Sequence, residues 1–271
     1  MPLGLRRLRV RLAASPRGAG LDAPAPPSLF EQVLELSQGR PVFTADHYVP
    51  QEVEGGTNVR RFTDWNNSAN YLQQTSFANQ VAAPAPSALF NGALVCTFDR
   101  SKPNFYTANS SNLVNFMHDG TGGTMVCVGR LLDGANIGTI VGTRDQTGRG
   151  FSLVGFPSTT MHFYVLTSTD QFVLQIQHNG VPPVPAYADL TFDAAAPVVG
   201  TMRIKGTVVA QQASTGAVPQ AGPSSQPLRL GTDTGNHTSM LWHSLLFFPP
   251  LTSEGRSTVQ QWIQSVTGIA P

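Results

Sequence analysis

The chain has 271 residues, a net charge of +1, 41% apolar residues and only 12% charged ones. That is enough apolar content to bury a core as one large β domain or two small ones. The near-zero charge excludes electrostatic capture of nucleic acid, and no run approaches the roughly 18 apolar residues of a membrane span.

Residues 1–27 read as a basic arm and a Pro/Gly/Ala linker. Residues 1–20 hold five Arg and no acid, so the remainder carries 1 − 5 = −4. In "LRRLRVRLAAS", Leu8, Val10 and Leu12 alternate with Arg9 and Arg11, which is strand periodicity. Leu5, Leu8 and Leu12 fit a short helix equally well, and both forms stay open. The arm is read as partner-binding through Arg6, Arg7, Leu8, Arg9, Val10, Arg11 and Leu12. It would add a strand to a neighbour's sheet edge while its Arg meet acidic groups. The competing reading is a solvated tail. No apolar leader core precedes it, so the sequons at Asn66, Asn109 and Asn236 are expected to carry no glycan.

Residues 28–40 predict a short amphipathic helix. Ser28 and Glu31 have capping-box spacing, Leu29, Phe30, Val33 and Leu34 form one stripe, and Gly39 precedes Pro41. Residues 41–271 then read as one domain. Candidate strands are Val42–Ala45, Ala93–Phe98, Thr124–Leu131, Gly138–Arg144, Gly150–Gly155, Thr160–Thr167, Phe172–His178, Val198–Lys205, Leu228–Gly231 and Met240–Phe248. Turn signals such as "HDGTGG", "RDQTGRG" and "HNGVPP" separate them. Many short strands and almost no helix predict an all-β, two-sheet antiparallel sandwich. The end is helical: Val259, Trp262, Ile263 and Val266 share a face, Thr252 or Ser253 caps the start and Gly268 the end. Trp262 is expected to lie against the sandwich. Cys96 and Cys127 sit in apolar runs and read as buried free thiols.

Four pieces in order carry a resemblance: "DWNNSANYLQQ", "SALFNGALVCTFDRSKPNFY", "TMVCVGRLLDGANIGTIVGTRDQTGRGFSL", and "LRLGTDTG" followed by "MLWHSLLFFPPLTSEGRSTVQQWIQSVTG". Together they resemble the concanavalin A-like, laminin-G-like jelly-roll domains of many tailed-phage and bacterial surface proteins. The resemblance covers roughly residues 41–268 and implies the jelly-roll form of the sandwich. It gives structural-motif roles to Trp65, Asn67, Ser68, Asn91, Gly92, Phe98, Asp99 and Trp262. Asn67 stands near the family's Asp, and Ala69 and Arg100 replace family glycines. Trp65 is expected to plug the side of the sandwich while Asn66, Asn67 and Ser68 form turns.

No catalytic residues are assigned. A retaining glycosidase needs two carboxylates about 5–5.5 Å apart. The chain has five Glu; the nearest pair, Glu52 and Glu54, sits in a loop-like "PQEVEGG". No nucleophile elbow or phosphate loop is present, and His237 and His243 lack partners at zinc-ligand spacing. No cofactor or metal is assigned, although a loop Ca2+ at Asp119, Asp145 or Asp233 stays open.

The function implied by the resemblance is a non-enzymatic structural or decoration protein of a tailed-phage virion, in capsid or tail, assembled in the bacterial host cytoplasm. Its partners would be major capsid or tail subunits and further copies of itself, with a host-surface glycan as a further ligand. Direct nucleic-acid recognition and membrane insertion are not expected. The second reading is a soluble carbohydrate-binding module, marked by an exposed aromatic ringed by Asn or Asp, with Tyr48, Tyr106, Tyr187 and Trp242 as candidates. The third is a jelly-roll glycosidase.

Overall fold

The computed structural model describes residues 27–53, 56–117, 121–132, 138–144, 150–156, 160–168, 171–179, 186–193, 199–213, 225–232 and 237–271. The arm residues Arg6 to Leu12 and the loop residues Asp119, Asp145 and Asp233 lie outside them.

Helix α1 (Leu29–Ser37) starts with the expected capping box, Glu31 N–H donating to Ser28 Oγ and Ser28 N–H to the Glu31 carboxylate. It ends at Gln38, whose left-handed backbone (φ 51°) closes the last turn, with Gly39 following at φ 79°. Next come β1 (Val42–Thr44), β2 (Tyr48–Val53), β3 (Gly56–Thr63), β4 (Tyr71–Gln73), β5 (Ala85–Pro86), β6 (Leu94–Phe98), β7 (Tyr106–Ala108) and β8 (Gly123–Leu131). They are followed by β9 (Gly138–Gly142), β10 (Gly150–Phe156), β11 (Thr160–Ser168), β12 (Gln171–His178), β13 (Ala186–Asp193), β14 (Val199–Ile204), β15 (Thr207–Ala213), β16 (Arg229–Leu230) and β17 (Met240–Phe248). Helix α2 (Ser253–Thr267) closes the chain, capped by Thr252 Oγ1 at its start and by Gly268 (φ 71°) at its end.

These strands form two antiparallel sheets, the expected jelly-roll sandwich. One runs β15-β14-β13-β8-β17-β6-β5, with β1 also paired to β17. The other runs β12-β11-β10-β9-β16-β7-β4-β3-β2. Between them lies the main core, with Phe62, Phe98, Tyr106, Phe151, Phe163, Trp242 and Phe247 fully buried. A second apolar layer covers the outer face of the β17 sheet, where Val33 of α1 and Val259, Trp262 and Ile263 of α2 meet Val126, Val128, Leu246 and Phe248. Fully burying each such side chain is worth about 1.5–3 kcal/mol, which holds both helices down. Trp262 lies against the sandwich as its spacing predicts.

Strand β17 serves both layers because it changes phase midway. Met240 and Trp242 point into the inter-sheet core, as do Leu245 and Phe247, so the parity flips between them. The flip is a β-bulge: Trp242 pairs with Gly129 and Ser244 with Val128, leaving His243 as the extra residue. Gly129 permits it, since a Cβ there would stand 2.7 Å from the Leu241 carbonyl oxygen. The same point separates two partners on the other side of β17. Residues 240–242 pair with β6 and residues 244–246 with β1.

Cys96 and Cys127 are buried free thiols on the strands flanking β17. Burial pushes both up, Cys127 to about 12, so neither forms a thiolate near neutral pH.

Helix α2 is also fixed by polar contacts. Arg256 pairs with Asp189 on the outer face of β13 and donates to Thr191 Oγ1 at 2.7 Å and to the Leu251 carbonyl at 3.1 Å. Side-chain exposures of 13% and 4% make this a nearly dry pair. Arg256→Met removes the ion-pair partner of Asp189, which keeps the Thr191 hydroxyl and its cross-strand neighbour Arg203, and is expected to cost about 1.5–3 kcal/mol, a melting-point drop of several degrees. Adding Asp189→Leu should restore most of it. Thermal melts of the two variants check this, and equal losses in both would show that the pair is not what seats the helix.

Candidate functional site

The partner switch on β17 opens a cleft of about 500 Å³ at the edge of the helical layer. Its floor is His243, the bulged residue. One wall comes from the end of β1, through Thr44 and Asp46, and the opposite wall from the turn leading into β6, through Asn91 and Gly92. Phe30 of α1, Trp262 of α2 and Trp65 complete it. This volume is within the ordinary range for small-molecule sites.

Trp65 reaches the cleft because its loop is fastened at several points. Asp64, only 1% exposed, accepts from the backbone N–H groups of Val42 (2.9 Å) and Asn66 (3.0 Å) and from Asn70 Nδ2 (3.2 Å). Burial pushes its carboxyl above the usual range, against the pull of those donors. Asn66 Nδ2 donates to Ser37 Oγ and to the Arg40 carbonyl, tying the loop to the end of α1. Trp65 itself donates Nε1–H to Thr44 Oγ1 at 2.8 Å.

The ring contacts form a continuous chain. His47 stacks on Trp65 at 4.0 Å, Phe30 meets Trp65 edge-on at 5.0 Å, Phe30 lies 5.6 Å from Trp262, and Trp262 lies 6.1 Å from His243. Trp65 nonetheless stays 39% exposed. The expectation that it simply plugs the sandwich is therefore corrected. Its N–H and one face are anchored, and the rest opens into the cleft.

Four of the eight motif residues, Trp65, Asn91, Gly92 and Trp262, thus converge on one site. Asn91 (φ 52°) and Gly92 (φ 82°) are both left-handed, the backbone of a tight turn that Asn-Gly favours. The end of α2 nests on it, since a Cβ at Gly268 would lie 3.0 Å from Asn91 Cβ. The other four lie elsewhere. Asn67 and Ser68 are exposed in the Trp65 loop, and Asn67 Oδ1 accepts from Ala69 N–H as a turn former. Asn66, expected to bond locally, reaches α1 instead. Phe98 is core. Asp99 accepts from Ser101 N–H and Oγ–H, which hold its carboxyl below the usual range.

The proposed aromatic platforms also need correction. Tyr106, Tyr187 and Trp242 are at most 1% exposed, and Tyr48 packs on the core. Strand alternation points the first three inward or under the helices. Glu52 lies on β2 and accepts from Thr57 Oγ1, while Glu54 is outside the described residues. Among the described residues no three His, Cys, Asp or Glu side chains gather as a metal site. Asp46 is the one carboxylate among the described residues lining the cleft, whereas glycoside hydrolysis uses two.

His243 was not singled out as a ligand-facing residue by its sequence context, since a bulge cannot be read from "MLWHSLLFF". It is 8% exposed, and its Nδ1 has no hydrogen-bond partner among the described residues. Burial drops its pKa to about 4 from 6.5, opposed by nearby Asp46. The ring is neutral at physiological pH and can both donate and accept.

No protein-family pattern and no curated protein sequence matches this chain. Solved structures do share the fold. The binding domain of Paraclostridial Mosquitocidal Protein 1 superposes with a TM-score of 0.54 at 10% identity, over 82% of this chain and 52% of that one. A structure described as a receptor binding domain superposes with 0.54 at 9% identity, over 88% and 53%. The Ruminococcus gnavus IT-sialidase CBM40 bound to α2,3-sialyllactose gives 0.43 at 12% identity, over 54% and 82%, too loose a superposition to argue from. The chain spans about half the length of the first two.

The depressed His243 pKa has a stability consequence. The unfolded chain takes up a proton below about 6.5 that the folded chain refuses until about 4. The stabilisation from neutral His243 is full above the upper value and fades as pH falls through that window, by up to about 3 kcal/mol. Urea unfolding of wild type and His243→Gln at several pH values should show a shallower pH slope in the variant. Parallel slopes would mean that His243 titrates normally.

Proposed function

We propose that this chain is a non-enzymatic binding module that holds a glycan in the cleft between the helices and β17. One observation carries the reading: a partly exposed, rigidly held tryptophan faces a roomy cleft whose polar lining includes Asp46, Asn91 and His243. A sugar ring has an apolar face that packs on an aromatic plane and hydroxyls that need donors and acceptors around it. The cleft supplies both. Its aromatic chain is locked before any ligand arrives, which reduces the ordering cost of binding. The fold is one that serves as a binding domain in the two solved structures that superpose at 0.54, a likeness of architecture to which the cleft adds the chemistry.

Trp65→Ala should weaken glycan binding at least tenfold, about 1.4 kcal/mol, while leaving the fold intact because the ring is already part exposed. Glycan-array screening followed by calorimetry on the best hit checks this. A variant that binds as tightly as wild type would move the site away from the cleft.

The carrier of this module is a second part of the proposal and rests on the sequence resemblance. On that reading the jelly roll decorates a tailed-phage capsid or tail, and the arm around Arg6, Arg7, Arg9 and Arg11 engages neighbouring subunits. Density-gradient fractionation of producing cells should place the full chain in the particle band, and deletion of residues 1–27 should release it. A chain that sediments as free protein in both forms would remove the virion role and leave the binding module.

A further inference from the structure

We infer that the cleft selects neutral sugars over acidic ones, with Asp46 as the residue that sets the selection; this rests on the glycan reading above. The described lining residues include one charged side chain, Asp46, and neither a Lys nor an Arg. The titratable groups nearest the floor do not offset it. His243 is held neutral by its burial beside Trp262 of α2. On α1, Glu31 is held in the capping box and Glu35 lines a separate groove, and His47 stacks on Trp65 without being a lining residue. The cations of the adjacent elements are committed elsewhere: Arg40 donates to the Phe248 and Gly122 carbonyls and lies over the Phe116 ring, and Arg256 pairs with Asp189. A carboxylate or sulfate entering the cleft would therefore lose hydration and meet Asp46 as the one charged side chain among the described lining residues.

The hydrogen-bonding capacity points the same way. Asp46 is exposed and its carboxylate is acceptor-only, with room for two donors. The Ser265 hydroxyl hydrogen is given to the Trp262 carbonyl, so its oxygen also faces a ligand as an acceptor. Thr44 Oγ1 already accepts from Trp65 and offers its own O–H. Asp46 and Ser265 thus form an acceptor-only side of the cleft. They are satisfied by a ligand rich in hydroxyl donors, such as adjacent hydroxyls of a neutral pyranose, and not by an anionic group that brings only acceptors. The bulge matters to this balance. It turns toward the cleft a ring whose burial keeps it uncharged, where a Lys or Arg at that position would have welcomed an anion.

The experiment uses the full chain and a glycan array on which each neutral oligosaccharide is paired with its sialylated and its sulfated counterpart. Wild type is expected to prefer the neutral member of each pair by tenfold or more. The preference should shrink as salt rises, because a charge effect is screened and a steric one is not. Asp46→Asn removes the charge and keeps the shape, at an exposed position that makes no structural hydrogen bond among those described. It should bring the acidic counterparts to within about threefold of the neutral ones, equal to under 1 kcal/mol. Equal or tighter binding of the acidic members by wild type, or an unchanged preference in Asp46→Asn, would overturn the inference while leaving glycan binding itself standing. Absence of binding to every glycan would overturn the parent reading and the selectivity together.

Discussion

The bulge at His243 is the constraint on which the rest of the molecule depends. Strand β17 is shared by two apolar layers, the inter-sheet core and the helical cover. A regular strand shows one face to each side with fixed parity. One extra residue shifts that parity, so Trp242 and Leu245 both face inward while Leu241 and Leu246 face the helices. It also lets β6 and β1 share one side of β17 end to end. The gap between those two strands is the cleft, and the extra residue is its floor. Fold and site thus follow from one irregularity, and Gly129, opposite it, is the position that makes the close backbone approach possible.

Buried charge is handled differently in two places. On α2, Arg256 and Asp189 satisfy each other in a nearly dry setting, which positions the helix more than it stabilises it. In the Trp65 loop, Asp64 has no Lys or Arg partner among the described residues; three N–H donors surround it, with His47 nearby. Burial still raises its pKa, so desolvation outweighs those donors. What the arrangement provides is geometry. It joins β1, the loop and, through Asn66, the end of α1 into one rigid corner, and that corner holds Trp65 partly open.

Much of the architecture was legible because most strands alternate cleanly. All ten strands expected from alternation are strands, and Met240–Phe248 has the expected bounds. Those missed carry polar residues on alternate or edge positions: Arg60 and Arg61 in β3, Asp189 in β13, Gln211 and Gln212 in β15. Each lies where the sheet meets solvent or where another polar group answers it, information a local pattern does not hold. Both helices were legible through their caps. The site was legible only in pieces. Trp65, Asn91, Gly92 and Trp262 stood out as motif residues, but they are separated by up to 197 positions (262 − 65) and converge only once the helices dock. Asp46 and His243 carried no signal, since one is a lone loop acid and the other looks like any residue of an apolar strand.

The composition and the cleft can be understood together. A protein with 12% charged residues presents few fixed charges to its surroundings, so a single carboxylate at the exposed edge of a concave site dominates the local potential. In a charge-rich surface, neighbouring Lys and Arg would blur that field within a Debye length of about 8–10 Å. Here the nearby Arg side chains are drawn into structural contacts, and the histidine on the floor is kept neutral by the burial that the bulge imposes. The sign of the site is therefore set by the fold as much as by Asp46. Two helices pressed onto an irregular strand remove the cations, silence the imidazole and leave an aromatic surface beside one acceptor-rich edge.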